Sequence, residues 1–148
     1  KNNSKQGDDT MKKITMIFML LTSMAFANTF VKRFNYAMTC KYNPYTQRYL
    51  QNCGESVSSS SIFIFNYDNS SDILWKTDET EHRLFNVGQT EATTNDDGDS
   101  VYVCNFIADS GENIQLIWQG SWVRLVFEGI MLVDFSNTYN SGTSGEEM

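Results

Sequence analysis

Residues 100–135 have the most regular alternation of apolar and polar segments in the chain. Four apolar runs, rich in β-branched and aromatic residues, are separated by short segments that contain Gly, Asp, Ser or Glu. The runs are 101–107, 114–118, 122–127 and 130–135. Runs of this kind between turn residues are typical of strands, and short turns join antiparallel neighbours. We therefore predict four successive antiparallel strands in this stretch.

The third of these runs has two faces of different character. Val123, Leu125 and Phe127 share one face, whereas Arg124 lies on the other. Side chains alternate between the two faces of a strand, so the wholly apolar set is the better core face. We expect Arg124 to point outward.

Shorter runs with strand-like composition precede this stretch at 29–38, 61–67, 73–76 and 82–87. Phe, Tyr, Trp, Ile and Val dominate their apolar residues, which favours strands over helices. No long helical pattern separates the runs, which argues against an α/β fold. The sequence predicts an all-β fold: an antiparallel up-and-down meander of about eight strands, closed as a small barrel or flattened to a sandwich.

Two connections need separate treatment. Asn43 and Pro44 resemble a helix N-cap followed by proline at the first helical position, and Gly54 could end the turn, so residues 40–54 contain either a short helical turn or a long strand connection. The polar segment 88–100 contains Asp97–Gly98, a strong turn pair that predicts the tip of a long hairpin.

The N-terminal segment has the layout of a bacterial secretory signal peptide. Met11 is followed by Lys12 and Lys13, by an apolar run at 14–26, and by an A-x-A cleavage site at residues 25–27. The run is too short for a membrane span, which needs about 20 apolar residues. We interpret residues 11–27 as a signal peptide and expect a secreted or periplasmic protein, cleaved near Ala27, with no membrane span in the mature chain.

The remaining domain boundaries follow from this interpretation. Residues 1–10 are a polar extension that is unstructured or not native, and residues 28–135 form a single β-domain. Residues 136–148 are rich in Ser, Gly, Asn and Glu, and we expect a flexible tail.

The net charge of the chain argues against one class of binding partner. The chain carries 11 basic and 18 acidic residues, a formal net charge of −7. An acidic surface repels phosphate backbones, which argues against nucleic-acid binding.

Two of the three cysteines are candidates for a disulfide bond. Cys40 and Cys53 flank the least regular segment, and in an oxidising compartment they can form a disulfide. Cys104 lies in the middle of a predicted strand. It is either a lone buried thiol, which we favour, or a partner for one of the others.

The candidate binding residues are aromatic. Trp118 and Trp122 flank a tight turn, and with Trp75, Tyr102 and Phe65 they could line a ligand cavity or a stacking platform. Packing in the core is the alternative role for the same side chains, and the more common one.

Acid–base and metal chemistry have little support in the sequence. The only histidine is His82, which lies in a charged segment, and no nucleophile motif or metal-ligand spacing is present. The acidic segment 95–99 does not fit a calcium-binding EF-hand loop and is better explained as a polar hairpin tip. The sequence therefore indicates no catalytic residues, metal site or cofactor.

Three groups of residues, 61–68, 73–77 and Cys104 with 109–111, resemble small secreted all-β bacterial proteins of uncharacterised function and lipocalin-like length. The resemblance implies a β-meander and no particular activity. We expect a non-enzymatic module that binds a small apolar ligand or a partner protein. An accessory or structural protein of the cell envelope is the alternative, and an enzyme is the least favoured interpretation.

Overall fold

The computed structural model describes residues 28–128 and 130–143. The predicted extension (1–10), the predicted signal peptide (11–27) and the end of the predicted tail (144–148) lie outside these ranges. Nine strands are described: β1 (Phe30–Lys41), β2 (Val57–Tyr67), β3 (Asp72–Lys76), β4 (Glu81–Asn86), β5 (Glu91–Thr94), β6 (Ser100–Ala108), β7 (Asn113–Trp118), β8 (Trp122–Phe127) and β9 (Met131–Ser136).

Eight of these strands close into an antiparallel barrel. Each strand pairs with the next one along the chain, except that β4 pairs with β6 and not with β5, and β1 pairs with β9 to close the barrel. This arrangement confirms the predicted all-β meander and selects the barrel over the flattened sandwich. No described residue belongs to a helix, so none of these residues forms a helix that could cross a membrane.

The ninth strand, β5, is an addition that sequence patterning did not predict. It pairs with Ser100–Val103 of β6, while β4 pairs with the other half of the same β6 edge. The turn between β5 and β6 is closed by a hydrogen bond from the Asn95 amide to the Asp99 carbonyl, and Gly98 has a φ of +84°. The predicted hairpin tip at Asp97–Gly98 is therefore confirmed.

The connection from β1 to β2 contains no helix. Asn43 does accept hydrogen bonds on its side-chain oxygen from the amides of Tyr45 and Thr46, as a capping residue would. However, Gln47 has a φ of +55°, outside the right-handed helical region, and Asn43 pairs with Arg48 in an isolated bridge. Of the two options for this segment, the structure has the long connection.

A disulfide joins Cys40 to Cys53 and holds this connection against the outside of the barrel. Both cysteines are buried, and with Leu132 they form a small outer cluster against which Tyr49 and Val126 pack. Cys104 is a buried free thiol inside the barrel. The predicted pairing and the predicted lone thiol are both confirmed.

The main core fills the barrel interior. Val123 and Leu125 are fully buried there, and Phe127 packs against the same cluster. Arg124 points to the outer face, where its guanidinium donates to both carboxylate oxygens of Asp134 at 2.6 and 2.9 Å. The alternation in β8 thus predicted both faces correctly.

The first part of the segment expected to be a flexible tail lies along the barrel. Asn140 and Ser56 exchange hydrogen bonds through backbone and side chain, and Thr143 pairs with Cys53 through two backbone hydrogen bonds. These bonds provide partners for backbone groups along the outer edge of the β1–β2 connection, which pairs with no other described strand there.

Candidate ligand-binding cavity

One end of the barrel is open and contains a cavity of about 720 Å³. The rim consists of the β2–β3 turn, the segment between β4 and β5, and the β7–β8 turn. The lining residues are Phe30, Lys32, Phe65, Asn66, Ser71, Ile73, Asn86, Gly88, Gln89, Thr90, Tyr102, Phe106, Trp118, Gln119 and Gly120. Gly88 and Gly120 have no side chain to fill this space, and an added Cβ at Gly120 would meet no atom within 4 Å.

The opposite half of the barrel is packed with large side chains. Trp75 stacks on Phe63 with ring centroids 5.9 Å apart, and Phe135 contacts both rings edge-on. Phe63, Leu116 and Leu125 are fully buried in the same cluster. The barrel is therefore closed by its core at one end and hollow at the other.

Aromatic rings form a continuous wall in the cavity. Phe30 stacks on Phe65 at 4.5 Å, Phe65 contacts Trp118 at 5.4 Å, and Trp118 stacks on Tyr102 at 5.6 Å. The outer two pairs are cross-strand neighbours, β1 with β2 and β6 with β7. Phe65 and Trp118 come from opposite sides of the barrel, so their contact spans its interior.

One charged side chain faces this aromatic wall. Lys32 occupies an inward position of β1 between Phe30 and Phe34, and its ammonium donates to the carbonyls of Gln119 and Gly120 at 3.1 and 3.2 Å. Its chain therefore reaches across the mouth to the β7–β8 turn. Burial lowers the pKa of Lys32, because removing an ammonium from water disfavours its charged form.

Asn86, at the end of β4, lies on the polar side of the cavity and is fixed by hydrogen bonds. Its backbone amide donates to Asp72 at 2.8 Å, and its side-chain oxygen accepts from the Gly88 amide at 3.0 Å. The same Asp72 carboxylate accepts two hydrogen bonds from Arg83 on the outer face. These contacts fix the end of β4, so the rim on this side is well defined.

The structure divides the four tryptophan and tyrosine residues predicted to bind a ligand into two pairs. Trp118 and Tyr102 line the cavity. Trp75 lies in the packed half, and Trp122 is on the outer face, 5.4 Å from the Arg124 guanidinium. The expectation that Trp118 and Trp122 line one cavity or platform was wrong: Trp118 pairs with Val123, so Trp122 points the opposite way.

Phe30, Lys32 and Phe106 are among the lining residues that the sequence pattern did not single out. The signal for the first two was present, because Phe30 and Phe34 alternate along one face and Lys32 interrupts that face. A lysine inside an apolar alternation is a candidate for a special position. Phe106 carries no comparable signal, since any apolar residue in β6 could equally belong to the packed half.

The only histidine lies at the far end of the barrel from the cavity. His82 Nδ1 is 3.1 Å from Asp109 Oδ1, and this contact lowers the pKa of the Asp109 carboxyl, helped by the Arg83 backbone amide. Both side chains are more than a third exposed. One carboxylate beside one histidine at the surface does not make the cleft of converging groups that acid–base catalysis needs.

The hairpin tip at 95–99 uses its polar atoms internally. The Asn95 side-chain oxygen accepts from the amides of Asp97 and Asp99 at 3.1 and 2.9 Å. Across residues 28–128 and 130–143, no group of three or more His, Cys, Asp or Glu side chains is placed to hold a metal ion.

Comparisons with protein-family models, with curated proteins and with solved structures found no match to this chain.

Proposed function

We propose that the protein is a non-enzymatic binding module that holds a small, mainly apolar ligand in the open end of its barrel. The cavity carries this proposal. Its volume of about 720 Å³ lies within the range of roughly 300–1,000 Å³ that is usual for small-molecule sites. Its lining also suits a small ligand, because five aromatic side chains supply an apolar surface and the polar side chains around them can orient a bound molecule.

The exposure of the aromatic residues supports a binding role over simple packing. Phe30 and Tyr102 are 42% and 45% exposed, although both stack on rings inside the barrel mouth. Covering such surfaces with a ligand would release about 25 cal/mol for each Å² removed from water. Burial of these exposed ring surfaces would therefore favour binding of an apolar ligand.

We infer an exported location for this module, secreted or periplasmic. The buried Cys40–Cys53 disulfide supports an oxidising compartment, where such bonds form and persist. The signal-peptide pattern of residues 11–27 agrees with the same compartment.

The alternative role, an accessory protein that engages another envelope protein, is favoured by one observation. Phe85 and Ile107 are paired across the β4–β6 seam on the outer face and are 43% and 37% exposed, and Val87 beside them is 54% exposed. This patch is small, and single exposed apolar residues are common on protein surfaces. The cavity is the more specific feature.

A fluorescence titration with the neutral apolar dye N-phenyl-1-naphthylamine tests the proposed binding. We expect saturable binding with a blue shift, and roughly tenfold weaker binding for Trp118→Leu, since an aromatic contact and its buried area are lost. Phe85→Leu is the matched control, because it removes an exposed aromatic ring from the outer face and does not touch the cavity lining. Circular dichroism and thermal melting check that both variants are folded.

Two results would contradict the proposal. One is the absence of saturable dye binding by the folded wild type. The other is weaker binding by Phe85→Leu with no change for Trp118→Leu, which would place the dye on the outer patch, where the accessory role locates its contacts.

A further inference from the structure

We propose that the ligand is a monoanionic amphiphile whose charged head pairs with Lys32 at the mouth of the barrel while its apolar body lies on the aromatic wall. This inference rests on the proposed ligand-binding function and deepens it by naming the chemical class of the ligand.

Lys32 differs from the other basic side chains of similar burial. Among the described residues, three other Lys or Arg side chains are neither buried nor fully exposed, and each has a carboxylate partner. The pairs are Lys76 with Glu81, Arg83 with Asp72, and Arg124 with Asp134. Lys32 belongs to none of the ion pairs found within residues 28–128 and 130–143, and carbonyl oxygens are its acceptors.

The two carbonyls leave the ammonium group incompletely satisfied. A lysine ammonium has three N–H donors, and the Gln119 and Gly120 carbonyls accept two hydrogen bonds. These acceptors carry partial charges, whereas a ligand anion supplies a full one. Withdrawing a cation from water is costly unless it is paired, and the lowered pKa of Lys32 reflects that cost. An anionic head group would compensate for it.

The cavity lining limits the charge of the ligand to one. It contains no Asp or Glu that would repel an anion, and Lys32 is its single basic residue. The chain as a whole is acidic, with a formal net charge of −7, so it supplies no general attraction for polyanions. A carboxylate or sulfonate head fits this site better than a nucleotide or polyphosphate, which would need several cations.

The position of Lys32 also fixes the geometry of the ligand. Lys32 is two residues from Phe30 on the same face of β1, and Phe30 stacks on Phe65 with an interplanar angle of 7°. A ligand head at the ammonium therefore places its body directly along the Phe30–Phe65–Trp118 wall. Flat aromatic or aliphatic bodies match that surface.

Two dyes with the same body separate the charge from the apolar contact. 8-Anilino-1-naphthalenesulfonate has the ring system of N-phenyl-1-naphthylamine plus one sulfonate. We would titrate both into the wild type, Lys32→Met, Lys32→Arg and Lys41→Met. Lys41→Met is the matched control, since Lys41 is an exposed lysine on the same strand.

We expect Lys32→Met to weaken binding of the anionic dye roughly tenfold, about 1.4 kcal/mol, and to change binding of the neutral dye less than about twofold. Lys32→Arg should keep most of the affinity for the anionic dye, and Lys41→Met should behave as the wild type.

Equal affinity of Lys32→Met and wild type for the anionic dye would overturn the inference and leave the proposed cavity intact. Equal losses for both dyes would also overturn it, because Lys32 would then shape the cavity without recognising charge. If the wild type binds neither dye, the proposed function fails as well. Lys32→Gln provides a second neutral variant if Lys32→Met does not fold.

Discussion

The Cys40–Cys53 disulfide closes the long connection between β1 and β2. The loss of stability expected on its removal follows from the length of the loop that it closes. The two cysteines are separated by 13 positions. In the chain-entropy description, a cross-link that closes a loop of this length stabilises the folded state by about 3 kcal/mol, because it restricts the denatured chain. We expect the double variant Cys40→Ala/Cys53→Ala to lose at least this much.

A second contribution comes from packing. Cys40 is fully buried and Cys53 is 8% exposed, and both contact the outer cluster that includes Leu132. Replacing these sulfurs with hydrogen leaves a small cavity that adds roughly 1 kcal/mol to the loss. Chemical reduction of the wild type removes the cross-link but keeps both sulfurs, so it isolates the entropic part.

Urea unfolding monitored by tryptophan fluorescence measures both quantities. Cys104→Ala serves as the common background, because the free thiol at position 104 could exchange with the disulfide during unfolding. A loss of 3 kcal/mol corresponds to a drop of roughly 10–15 °C in melting temperature for a domain of this size. Binding of the neutral dye should be unchanged while the variant is folded, since the disulfide does not line the cavity.

A loss below about 1 kcal/mol for both the reduced protein and the double alanine variant would contradict this prediction. Closure of the loop would then contribute little. A full loss for the alanine variant with no effect of reduction would instead assign the stabilisation to the buried sulfurs.

Two further predictions concern the C-terminal segment and the closed end of the barrel. Gly142→Ala should destabilise more than Gly98→Ala in thermal melts: both glycines have positive φ, but only at position 142 would the new Cβ clash, at 2.7 Å from the Cys53 carbonyl. Equal losses would mean that the clash is relieved without cost. Asp109→Asn should lower the urea midpoint near neutral pH. This deficit should disappear as pH falls through the pKa of Asp109, which the hydrogen bond with His82 lowers from its usual range; a deficit that does not vary with pH would contradict this prediction.

Alternation along a strand was enough to predict the local features of this barrel. In β8, Val123 and Leu125 face the core and Arg124 faces outward, because successive side chains of a strand point to opposite sides whatever the strand pairs with. The hairpin tip at Asp97–Gly98 followed from glycine's tolerance of positive φ, which is also local.

Alternation along single strands did not predict the features that depend on pairing between strands. β5 is a strand because half of one β6 edge is left free by β4, and its exposed residues show no alternation that would mark it. Similarly, Trp118 and Trp122 are close in sequence but face opposite sides, since the hairpin register pairs Trp118 with Val123.

The pattern of residues along the chain predicted the all-β class, the two faces of β8 and the hairpin tip, and it offered Cys40–Cys53 as a candidate pair, because each depends on neighbouring residues or short loops. The closed barrel itself sets where the interior is hollow and that Lys32 faces into it. A cavity is the volume left when side chains from opposite sides of a closed barrel, such as Phe65 and Trp118, meet, and no single strand contains that information.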